Sequence, residues 1–258
     1  LNEFNRIDIP VAKGSELKGL NPAWRPFVNS VSWGHKFGGK TVDKNAPDLL
    51  AEILNSEKEK ITIVCLGALT NINAAFKKDP KIIAKIDRIV WFNESVNPLK
   101  GFNYECDKDA ASEVIKSKVR MDVISNTNSE RAFFDEQLVA LSKQSGTKLA
   151  SVLNYTFSQE PVIEKLKENH FEFCDDLVAL YFASHDLFSI NTDMNRLSVR
   201  YSYEYDAFGV KEVLSDIIKG NYISGHNVVF NGFPVDRELF NYDIRPIIET
   251  AIAKYGYE

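Results

Sequence analysis

Apolar residues in this chain fall into short solid runs separated by segments of helical spacing. Ile61–Leu66 and Arg88–Phe92 are almost wholly apolar and too short for helices, the pattern of strands covered on both faces. Val119–Ile124 reads as a third strand. Between them, Asn45-Ala46-Pro47 opens a helix in which Leu49, Leu50, Ile53 and Leu54 repeat at helical spacing. Further helices are predicted over Asn71–Lys78, Pro80–Ile86 and Asp107–Lys116. From Ser129 the chain turns mostly helical: Glu130–Ser142, Lys148–Ser158, Pro161–Asn169 and Asp175–Ser184. Strands are predicted at Leu197–Tyr203 and Asn227–Phe230, with a closing amphipathic helix over Leu239–Tyr255. The early segment from Val11 to Thr41 has neither period and is predicted to be long ordered loop, a length that is often functional.

Strand–helix–strand alternation with short connections predicts an α/β fold, a mainly parallel open sheet with helices on both faces. No repeat, low-complexity tract or linker interrupts it, so residues 1–258 are expected to form a single domain. The chain opens on Leu1 in what reads as the tail of a helix running into a strand over Ile7–Val11, so a further element is expected upstream.

Composition narrows the class. With 44% hydrophobic residues the chain can bury a large core, which excludes disorder. The formal net charge of −5, without a basic block, argues against nucleic acid or an anionic membrane as partner. No apolar run approaches the ~18 residues that span a bilayer. Cys65, Cys106 and Cys174 form no CxxC pair, so a zinc or redox motif is unsupported. An odd cysteine count favours a reducing compartment, the cytoplasm, with the periplasm as the alternative. Dinucleotide, P-loop and zincin motifs are absent.

Ligands of open α/β sheets bind beyond the carboxyl ends of the strands, so the residues that follow each strand are the candidates. Gly67-Ala68-Leu69-Thr70-Asn71 follows the first; it reads as a tight turn with Thr70 or Asn71 capping the next helix, or as a close backbone approach to a ligand. The second is followed by Asn93, Glu94, Asn97, Gly101, Phe102 and Asn103, where three asparagines suit sugar hydroxyls or an ordinary polar turn. Cys174-Asp175-Asp176 precedes an apolar helix and suits either a helix start favoured by the macrodipole or a metal ligand. His185-Asp186 reads as the polar exit of that helix. His35, His170 and His226 have no partners at metal spacing, and Trp33 and Trp91 suit packing.

Several of these stretches occur in one order that resembles the inosine–uridine nucleoside hydrolases. ITIVCLGALTNI and KIDRIVWF resemble the family's "LGPLTN … RI" core, and GFNYECDKDAASEVI resembles its "EFN…DPEAA" segment. CDDLVALYFASHDLF is similar to its "HDPLAVAYLLDPELF" helix. IDIPVAKG and NVVFNGFPVDRELF are similar to its "DIPV..G" strand and its C-terminal strand and helix. The resemblance implies a parallel α/β fold that hydrolyses the N-glycosidic bond of a ribonucleoside around a bound Ca²⁺. It implies that Thr70 offers its main-chain carbonyl and Asp175 its carboxylate to the metal. It places Asn103 on the ribose, with Phe102, Asn93 and Cys174 as further substrate-binding residues, and it implies a homo-oligomer, dimer or tetramer. Cys174 stands where many members carry a histidine that helps the base depart; a neutral thiol is a poor acid for that task, so base activation must come from elsewhere.

Two departures stand out. The family's DxDxGxDD loop, the source of most metal ligands and of the general base, has no counterpart in the chain and belongs upstream of IDIPVAKG. Gly101 replaces the glutamate of the EFN segment and removes a ribose contact. Two expectations follow: a catalytic hydrolase whose acidic loop lies upstream of Leu1, or a non-catalytic ribose- or nucleoside-binding relative that has lost it.

Overall fold

The computed structural model describes residues 4, 6–17, 22–34, 41–96, 98–126, 131–168, 171–190, 200–221, 229–230 and 233–234. The sheet takes its register from three buried strands: β1 (Ile61–Cys65), β2 (Ile86–Phe92) and β5 (Arg120–Ile124). β2 pairs with β1 and β5, both parallel, and β7 (Arg200–Tyr205) joins β5 in parallel. β6 (Phe188–Ile190) closes that side antiparallel to β7, giving the order β1-β2-β5-β7-β6. The fold is thus a mainly parallel α/β sheet. β6 extends the predicted set: three residues are too few to display a period.

Alternation along the strands divides the core in two. Ile89 and Trp91 of β2 and Met121 and Val123 of β5 pack with α2 (Ala46–Ser56), α3 (Thr70–Lys78) and α5 (Lys108–Lys116). Val90, Phe92 and Ile124 face the other way, onto α6 (Glu136–Gln144), α7 (Lys148–Phe157), α8 (Glu160–Lys167), α9 (Asp175–Ala183) and α10 (Ala207–Lys219). Burial on both faces is why these strands read as unbroken apolar runs rather than alternating ones. Helix starts are fixed by side-chain caps: Asn45 accepts from Asp48 N at 2.9 Å, and Asp107 accepts from Ala110 N at 3.0 Å. The helical turn or two expected over Pro80–Ile86 is a 3₁₀ helix, Pro80–Lys85.

Elsewhere the pattern is corrected. Ile7–Val11 is not a strand; Ile7 is 81% exposed, Ile9 N turns back to donate to Arg6 O, and Val42 N donates to Val11 O. The long early loop contains a short helix, α1 (Arg25–Ser30). The helix expected from Glu130 starts at Glu136, because residues 131–134 pair instead with 171–173: Phe134 N donates to Phe171 O and Phe173 N to Ala132 O. α10 was hidden by Gly209, whose missing Cβ lets Leu187 approach to 2.6 Å of that position. Two hairpins, β3 (Ser95–Val96) with β4 (Leu99–Lys100) and β8 (Val229–Phe230) with β9 (Phe233–Pro234), stand apart from the main sheet. The expected helix Leu239–Tyr255 lies outside the described residues. No described helix is long and apolar enough to cross a membrane.

Toward the amino ends of the strands sits a buried ionic cluster. Asp122, fully enclosed, accepts from Arg88 Nη1 at 2.9 Å, Arg120 Nε at 3.0 Å and Tyr181 Oη at 3.3 Å. Burial and the Asp122 charge hold the Tyr181 phenol well above its ordinary range. The His185 ring lies tilted at 49° against Tyr181 with centroids 4.6 Å apart, and burial, then Arg88, lowers its pKa. His185 is therefore part of this packing, not a solvated helix exit.

Candidate active site

The opposite ends of the same strands carry the candidate chemistry. α4 (Phe102–Cys106) begins just past β4, and its Asn103 reaches back to the sheet. One amide group, Nδ2, donates to Phe92 O at 2.9 Å and to Leu66 O at 3.3 Å, the residues at the ends of β2 and β1. Both N–H donors are spent on backbone, which leaves the carbonyl oxygen of the half-buried Asn103 as its remaining polar atom, an acceptor. Beneath it, Asn93 is 1% exposed and wholly engaged: Nδ2 donates to Ser95 O and Lys100 O, and Oδ1 accepts from Tyr104 N. Asn93 holds the loop, while Asn103 and the half-exposed Phe102, which meets Trp24 edge-on at 5.2 Å, face outward. Asn97 lies outside the described residues.

Neither Thr70 nor Asn71 caps α3. Thr70 is its first residue, and its hydroxyl donates to Asp107 Oδ2 at 2.7 Å, tying the start of α3 to the start of α5. Asn71 instead accepts from Ser15 N at 2.9 Å. Gly67 leaves open space around its backbone, and its carbonyl accepts from the buried Trp91 Nε1 at 2.9 Å.

α9 brings a group of acids to this rim. Asp175 and Asp176 occupy its first turn, behind Cys174. Asp175 makes no hydrogen bond or ion pair among the described residues. Partial loss of water, then the Asp176 carboxylate, pushes its pKa up to about 6, although one side stays open to solvent. Asp176 is raised too, by loss of water, an effect offset by backbone N–H groups. Burial pushes the Cys174 thiol up to about 12, helped by the carboxylates of Glu172, Asp175, Asp176 and Glu94, so it stays protonated at neutral pH. Glu172 is the partnered acid of the group: Asn126 Nδ2 and Arg131 Nη1 donate to its two oxygens, the latter at 2.8 Å.

Asn126 follows β5 as Asn93 follows β2, so the rule of looking past each strand end reaches it. Glu172 and Arg131 meet only through the pairing of 131–134 with 171–173, and local sequence carries no signal of that. Among the described residues no three His, Cys, Asp or Glu side chains converge as a metal cluster. His35, His170 and His226 lie outside the described residues. A groove of about 300 Å³ between α6 and α10 carries the Lys211–Asp135 ion pair, with Gln137, Glu212 and Lys219 also in its lining.

Acids and amides are gathered past the carboxyl ends of parallel strands, where open α/β sheets hold small-molecule ligands. The sequence profile of the inosine-uridine preferring nucleoside hydrolases matches residues 1–229, and the chain belongs to that family. It is 32% identical over 153 residues to the probable uridine nucleosidase 1 of Oryza sativa subsp. japonica, covering 54% of this chain and 47% of that protein. It is 28% identical over 138 residues to a pyrimidine-specific ribonucleoside hydrolase of Klebsiella pneumoniae, covering 46% of this chain and 42% of that one. The matches thus span about half the length of these curated relatives. In fold the chain is similar to a plant nucleoside hydrolase (TM-score 0.66, 20% identity, 85% of this chain and 83% of that one). A purine-preferring ribonucleoside hydrolase from Gardnerella vaginalis gives a TM-score of 0.64 at 17% identity, with 83% and 81% covered.

Proposed function

We propose that the protein hydrolyses the N-glycosidic bond of ribonucleosides, releasing ribose and the free base, with calcium as cofactor. The observation that carries the reading is Asp175: a solvent-accessible carboxylate with no partner among the described residues, its pKa raised to about 6 by partial loss of water and by Asp176, at the rim that Asn103 shares. Such a carboxylate is costly alone and favourable beside a cation. Asp175 and the Thr70 carbonyl suit a hard ion in kind. The rest of the about six to eight oxygens that Ca²⁺ takes would come from substrate hydroxyls, water and groups beyond the described residues. A calcium ion bound there would polarise an attacking water and lower its pKa.

The chain's own residues then have separable tasks. Asn103 accepts a hydrogen bond from a ribose hydroxyl and so fixes the sugar against the strand ends. Departure of the base leaves positive charge on the ribosyl group, and the carboxylates around Cys174 favour that charge. The Cys174 thiol lines the base side without supplying a proton, since a group raised to about 12 is a weak acid at neutral pH. Phe102 offers an apolar surface beside the sugar.

The names of the relatives make uridine the first substrate to test. Ribose release in the presence of calcium, abolished by a chelator, is the expected result; no release from any ribonucleoside overturns the reading. Gly101, where the family carries a glutamate, favours a second reading, a nucleoside-binding relative without turnover. Tight binding of uridine without ribose release would establish it.

A further inference from the structure

Resting on the reading of this rim as a ribonucleoside site, we infer that Glu94 is a sugar-contacting residue, supplying the carboxylate that the backbone at Gly101 cannot carry. Gly101 sits at φ +128°, and a Cβ there would lie 2.9 Å from Glu94 Cβ, 3.0 Å from Glu94 N and 3.1 Å from Asn93 Oδ1. Two of these neighbours are backbone or a fully engaged side chain, so the position cannot relax to admit a side chain. The space above it is taken by Glu94 itself.

One hydrogen bond places that carboxylate. Its Oε1 accepts from Phe102 N at 3.3 Å, which sets it beside the residue that precedes Asn103. Its charge is one of the four carboxylates that raise the Cys174 thiol at the start of α9. The side chain is exposed rather than packed away. Glu94 and Asn103 therefore present two acceptors from adjacent positions, with Asn103's donors already spent on Leu66 and Phe92. A pair of acceptors with no donor selects a ligand that donates, and a sugar's hydroxyls do so. The carboxylate adds negative charge where the ribosyl group becomes positive.

The test is Glu94→Gln, which keeps the volume and an oxygen for Phe102 N, assayed on uridine and on 2′-, 3′- and 5′-deoxyuridine. We expect an unchanged Tm and kcat/KM for uridine reduced about tenfold or more, as for loss of a charge-assisted hydrogen bond. The deoxy analogue that lacks the contacted hydroxyl should lose little further. A uridine value within twofold of the parent, or the same loss on all four substrates, overturns the inference. Uridine binding by calorimetry on the same two proteins separates the claims. If the parent binds without turnover, hydrolysis fails as a reading, and weaker binding by Glu94→Gln still supports the contact. Equal binding by both proteins rejects it, and no binding by the parent rejects both.

Discussion

Asp122 and Asp175 are carboxylates of one molecule placed toward opposite ends of its strands, and their surroundings could hardly differ more. Asp122 is enclosed by two guanidinium groups and a phenol, and every one of them points at it. Asp175 lies open to solvent with another acid beside it and no cation among the described residues. The first arrangement pairs its charge and holds β2, β5 and α9 together. The second leaves its charge open to solvent, where the proposed cation would meet it. Even the paired end is imperfect: Arg88 Nε is buried without a partner, so the cluster is worth more for fixing the register than for raw stability.

Removing one member of the buried set should produce the largest effect. Asp122→Asn strands two guanidiniums and should cost about 3–5 kcal/mol in urea unfolding; a loss under about 1 kcal/mol would show that the cluster is not what holds this end. At the other end, Asp175→Asn should lower uridine hydrolysis by about 100-fold or more and abolish calcium binding. Its stability without metal should be unchanged or higher, while Asp186→Asn leaves calcium affinity intact. Equal calcium affinity in the two variants would break the contrast between the ends.

Asn103→Ala removes two backbone ties as well as a sugar contact. A loss of about 1–2 kcal/mol in stability is expected, with KM rising and kcat falling together. A smaller effect concerns pH. Because the Asp175 pKa is about 6 in the folded protein against an ordinary 3.8, the native state keeps a proton that the unfolded chain releases between these values. Metal-free stability should therefore fall as pH rises from about 4 to about 6, by about 1 kcal/mol or less given the open side of the group. Asp175→Asn should flatten that slope, and saturating calcium at pH 7 should offset it. Least affected should be Cys174→Ser, with kcat within about threefold of the parent; a large drop would return the thiol to the chemistry.

The sheet was legible because β1, β2 and β5 are covered on both faces, which leaves a solid apolar run that no other element of that length produces. Asp175 and Asn103 were within reach for a related reason: the residues that serve this rim follow strand ends or open a helix, and those boundaries are marked locally. Glu94 was passed over as turn because its placement depends on the backbone angle of a glycine seven residues later. Glu172 and Arg131 depend on two distant segments pairing, and β6 on a neighbour to pair with; neither leaves a period in the sequence. The helix predicted at Glu130 failed for the same cause, since residues 131–134 had a better use for their backbone groups in pairing with 171–173.

Asn103 hangs from the last carbonyls of two adjacent strands, so its position is gauged by the spacing of the sheet rather than by the loop that delivers it. The chain between residues 95 and 100 could be exchanged without recalibrating the sugar contact proposed for Asn103, provided that it returned the amide to the same two hooks and Gly101 to its place against Glu94. Diversity in this stretch is therefore cheap, and variants with new specificities are best sought there first.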